Sequence, residues 1–159
     1  MSSPIATLYY GFYLGSPGEG WAASVLPSAT DRFRVDQPED LPWSQAALED
    51  GEEDYLQHMR THLLSEADIE AADLDHKELV KAVAEAWGVE LVEHGCFPYG
   101  NTHIGIAMPG SVYEADDWTP KAVAPTAGGS HQALVNALGA LGLRPVQANP
   151  SWILAPGEH

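Results

Sequence analysis

The sequence predicts an α+β fold, a mainly antiparallel sheet with helices on one face. Three observations predict it. A helix with a glycine stop runs directly into two alternating strands between Leu79 and Met108, and the same outline returns between Leu134 and Leu154. Ile5 to Leu14 carries apolar or aromatic side chains on both faces, as a central strand does. The two helix-hairpin units, over about 75–110 and 129–157, read as degenerate αββ copies sharing one sheet, because two copies are too few for a solenoid. Residues 1–159 are expected to form a single domain, with an acidic, partly helical insertion over about 36–74.

In chain order, Ala6, Leu8, Tyr10, Phe12 and Leu14 alternate against Ile5, Thr7, Tyr9, Gly11 and Tyr13, and Gly11 leaves room for a close neighbour. The glycine-rich stretch from Gly15 to Gly20 has neither the order nor the lysine of a phosphate loop and reads as a turn. Trp21 to Leu26 and Arg32 to Val35 are expected as short strands punctuated by prolines 27, 38 and 42. Tyr55, Leu56, Met59 and Leu63 give the stripe of a helix over Glu52 to Leu64. Ser65 with Asp68, then Asp75 with Glu78, have capping-box spacing and start two further helices. The second carries Leu79, Val80, Val83, Ala86 and Trp87 on one stripe and stops at Gly88. Val89 to His94 and Thr102 to Met108 form the hairpin. Ser111 to Gly129 shows no period and reads as a long connection. Ser130 then caps a helix striped by Leu134, Val135, Leu138 and Leu141 and stopped by Gly142; Val146, the Asn149-Pro150 turn and Trp152 to Leu154 complete the echo.

Charge excludes several functions. The formal net charge is -16, from 23 acidic residues against 7 Lys+Arg. Fourteen of the acids fall between Asp36 and Glu78, beside only Arg60 and Lys77. Such a field repels phosphate backbones and anionic lipid, so neither direct nucleic-acid binding nor membrane association is expected. It is either a solvated face or a docking surface for a basic protein partner. The lone Cys96 cannot close an internal disulfide, and no apolar run approaches spanning length; a soluble, cytoplasmic protein is expected.

Two histidine constellations could carry chemistry. Asp54, His58 and His62 stand at four-residue steps on one helix side, a spacing that suits a divalent metal, although His-Met-Arg-Thr-His lacks the glutamate of a zincin helix. They read otherwise as surface residues. His94 and His103 share one face of the hairpin; pairing Val92 with His103 would make the two rings diagonal neighbours about 7 Å apart at the backbone. Cys96, Tyr99 and Asn101 occupy the loop between them, and Tyr9 and Tyr13 approach if the first strand is adjacent. Convergence there would allow thiol chemistry, a mixed Cys/His metal site or a ligand site; otherwise the histidines line an ordinary sheet surface.

No serine-nucleophile, CxxC or calcium-loop motif is present. Function is therefore ranked from charge and architecture. The preferred reading is a non-catalytic binding or regulatory protein that engages a basic protein partner through its acidic surface; no cofactor is assigned, and a divalent metal is the one candidate. The alternative is a small metal-dependent or thiol enzyme, or a ligand-binding protein, using the His94/His103 face. Exposed sheet edges also admit homodimerisation.

Overall fold

A computed structural model gives the fold and describes residues 4–17, 20–26, 37–50, 55–95, 102–126 and 130–158, without the side chains of Glu49, Asp50 and Glu158. The fold is α+β, with a mainly antiparallel sheet. Its axis is β1, Pro4–Ser16. On one side β1 pairs with β5 (Thr102–Ala107), from Gly11 to Gly15, and further along with β6 (Tyr113–Asp116), from Ile5 to Leu8. On the other it pairs with β8 (Ser151–Glu158), from Pro4 to Gly11, and with the short β2 (Gly20–Trp21). β4 (Glu90–Gly95) lies outside β5. A separate two-stranded ribbon joins β3 (Ala23–Val25) to β7 (Leu143–Pro145). The doubly apolar pattern of β1 follows from this central place. A β-carbon at Gly11 would overlap the Ile106 carbonyl, so β5 leaves no room for a side chain there.

Five helices are present among the described residues: α1 Pro42–Asp50, α2 Tyr55–Leu63, α3 Glu66–Ala72, α4 His76–Trp87 and α5 His131–Leu141. The caps fall where sequence spacing puts them. Ser65, Asp75 and Ser130 accept from the backbone N–H of Asp68, Glu78 and Gln132, and Gly88 and Gly142 close α4 and α5 in the left-handed conformation. Phe12, Leu14, Leu91, Ile104 and Ile106 from one sheet face pack with Met59, Leu63, Val83, Leu134 and Leu138 from the helices. The opposite face holds a smaller cluster of Tyr9, Val92 and Ala107, against which Val112 and Ile153 pack. β8 also contacts β4, although neither pairs with the other, so the sheet curls over this second face.

Several elements differ from expectation. The second αββ unit does not form a hairpin, because β7 pairs with β3 whereas β8 joins β1. β1 is long enough to offer β8 an eight-residue partner, and the Gln147 amide fills the gap beyond it: Nε2 donates to the Gly11 carbonyl (2.9 Å) and Oε1 accepts from Tyr13 N (3.2 Å). Helix α1 begins on a proline read from sequence only as punctuation; at the first helical position a missing N–H costs nothing. Strand β6 sits in the supposed connection, too short to show a period. The stripe of α4 narrows to Leu79 and Val83 as its fully buried part, with Ala86 exposed. The Arg32 to Val35 strand lies outside the described residues.

Candidate functional site

The curled face carries two tyrosine-histidine pairs. In β1 the odd-numbered Tyr9 and Tyr13 point away from the helices, while in the hairpin His94 and His103 do the same. His94 pairs directly with His103, and Val92 with Gly105, which corrects the diagonal register inferred from sequence by two residues. A two-residue shift preserves the face but brings the rings together. They stack with centroids 5.6 Å apart at an interplanar angle of 11°. The Tyr9 hydroxyl hydrogen-bonds His94 Nε2 at 3.2 Å, and the Tyr13 hydroxyl hydrogen-bonds His103 Nδ1 at 2.7 Å. Gly105 makes this possible, because a β-carbon there would overlap the Tyr9 ring.

Burial sets the chemistry of the quartet. Tyr9 is fully buried and His94 is 8% exposed. Desolvation, reinforced by His103, pushes His94 down to about 4, so the ring is neutral at physiological pH. Desolvation, with Tyr13 adding to it, raises the Tyr9 phenol well above its ordinary value. A base this weak beside so weak an acid is poorly matched to general acid-base work near neutrality. Next to His94 is a cavity of about 230 Å³, lined by Ile5, Thr7, Glu93, His94, Gly95, Glu114, Asp116 and Gly157.

Of the other hairpin candidates, Cys96, Tyr99 and Asn101 lie outside the described residues. On α2, Asp54 is likewise outside, His58 is half-buried, and His62 Nε2 donates to the Ala140 carbonyl at 3.0 Å. Among the described residues no group of three or more His, Cys, Asp or Glu is placed to hold a metal ion. No described helix is long and apolar enough to cross a membrane.

Sequence reasoning missed Arg60. The residue is 6% exposed; its guanidinium lies 3.4 Å from His76 Nδ1 and donates to the Leu91 carbonyl at 3.4 Å. Burial lowers its pKa against the opposing pull of Glu93 and Glu90, and raises both carboxyls against the pull of Arg60. Its spacing from Leu56 and Leu63 already set it on the apolar side of α2.

The acidic surface is built by α3 and α4. Glu66, Asp68, Glu70, Asp73, Asp75, Glu78 and Glu85 are all exposed there. Between the two helices runs a groove of about 170 Å³, with Ala71, Ala72 and Ala82 among its lining and Asp68, Glu78, Glu85 and Lys81 around them. Alanines keep its floor low; the carboxylates give it net negative charge. Glu52, Glu53 and Asp54 lie outside the described residues. No protein-family model, curated protein or solved structure matches this chain.

Proposed function

We propose that this chain is a non-catalytic binding protein whose α3–α4 surface engages a basic protein partner. The observation that carries the reading is the acid-walled groove between α3 and α4. It offers a basic side chain three carboxylates, Asp68, Glu78 and Glu85, on two helices with exposed charge throughout. Opposite charges of this kind chiefly raise the association rate and select partners.

The test is association with arginine- and lysine-rich peptides across a salt series. Replacing the groove acids together, Asp68→Asn, Glu78→Gln and Glu85→Gln, is expected to weaken binding at least about tenfold and flatten the salt dependence. The same number of changes at Glu114, Asp116 and Asp117 should have little effect. Equal losses from both sets would reduce the attraction to net charge and remove the reading.

A second reading rests on the cavity beside His94. Glu93, Glu114 and Asp116 surround a neutral imidazole, a lining that suits a small organic cation. Titration with simple alkylamines and diamines tests it. A saturable rise in unfolding temperature, lost in Asp116→Asn, supports the reading; an unchanged temperature discards it.

A further inference from the structure

We infer that the groove between α5 and the β3–β7 ribbon binds a small apolar molecule carrying a carboxylate. It encloses about 550 Å³, within the range of about 300–1,000 Å³ that small-molecule sites occupy. Phe12, Leu138 and Leu143, each at most 4% exposed, form its floor; Val135 and Val146, 52% and 76% exposed, stand at its sides. These side groups are held open to solvent around a floor that belongs to the core.

Gly139 supplies a separate observation. It lies within α5, where a glycine costs about 1 kcal/mol relative to alanine. No packing demand among the described residues accounts for it, since a β-carbon built at Gly139 meets none of their atoms within 4 Å. What the missing side chain does is leave the groove open. Gly139 is itself part of the lining, so a bulky residue there takes up room at the groove.

The charge of the ligand follows from the lining. Among the described lining residues Arg144 is the single charged one, in a chain with only 7 Lys+Arg. The Gln147 amide is already committed to the backbone of Gly11, Tyr13 and Asn149. Polar recognition therefore falls to Arg144, whose planar fork matches a carboxylate.

Decanoate is a suitable probe, with decanol as its uncharged counterpart, followed by calorimetric titration and thermal unfolding of the full chain. Decanoate is expected to bind saturably at one site and to raise the unfolding temperature. Gly139→Leu, which fills the groove while leaving the unliganded protein at least as stable, should abolish binding. Arg144→Gln should weaken decanoate about tenfold, the scale of one charge-assisted hydrogen bond, and leave decanol unchanged. Val146→Glu, a surface change that adds a like charge at the wall, should act on decanoate in the same way. Unsaturable decanoate uptake, undiminished binding in Gly139→Leu, or equal affinity for acid and alcohol would each overturn the inference.

Discussion

His94 is neutral because its ring is desolvated against Tyr9 and stacked on a second imidazole, and that has a direct consequence for stability. In the unfolded chain the same ring titrates near its ordinary 6.5. The unfolded state therefore takes up the proton first as pH falls. The contribution of His94 is fully present above pH 6.5 and is lost progressively down to about 4, amounting to about 3 kcal/mol at most. Urea unfolding followed from pH 7 to pH 4 should show this loss, and His94→Phe, which keeps the ring but does not titrate, should flatten the curve in that window. Tyr9→Phe should cost about 1–3 kcal/mol, because it strands a buried Nε2 without its partner. Gly105→Ala is expected to cost about 1–3 kcal/mol or more, since the added methyl must displace the fully buried Tyr9 ring from beneath β5. Both are checked by denaturant midpoints at pH 7.

Among the elements, helices and strands were legible to different degrees. Helix ends could be read because a cap is a local event: Asp75 and Glu78 are three residues apart, and the bond between them needs nothing else in the chain. Asp75→Ala should accordingly cost about 1 kcal/mol, measured by thermal unfolding. The fate of the second unit could not be read this way. Val146, Trp152 and Leu154 have the composition of a hairpin, but β7 and β8 were drawn to partners more than a hundred residues away in sequence. The Gln147 amide contributes to this arrangement by closing the stretch of β1 between β8 and β2. Gln147→Ala should destabilise by about 1–3 kcal/mol, because it removes the side-chain bonds to the Gly11 carbonyl and to the Tyr13 N–H, and should increase amide exchange at Tyr13. A hairpin between β7 and β8 would leave that amide indifferent to the substitution.

For the whole molecule, the dominant quantity is charge. A net of -16 on 159 residues makes the compact state self-repelling, so added monovalent salt should raise the unfolding temperature between about 0.01 and 0.5 M as the screening length shortens. A flat or falling response would mean that local pairs, with Arg60 between Glu90 and Glu93 foremost, dominate over the net field. The proposed docking face and the inferred ligand groove lie on different elements, α3–α4 and α5–β7. Their tests are therefore independent at the level of the residues changed.

By itself the sequence determined the α+β class, the central first strand, the caps of three helices, the glycine stops of two and the face shared by His94 and His103. Each of these rests on periodicity or on contacts within a few residues. Only the tertiary structure decided the hairpin register, the curl that buries Tyr9 against His94, the separation of β7 from β8 and the groove opened by Gly139. Those depend on which distant strands compete for the edges of β1. The competition is settled by total buried surface and paired backbone along the strand, and no local pattern in the chain records the outcome.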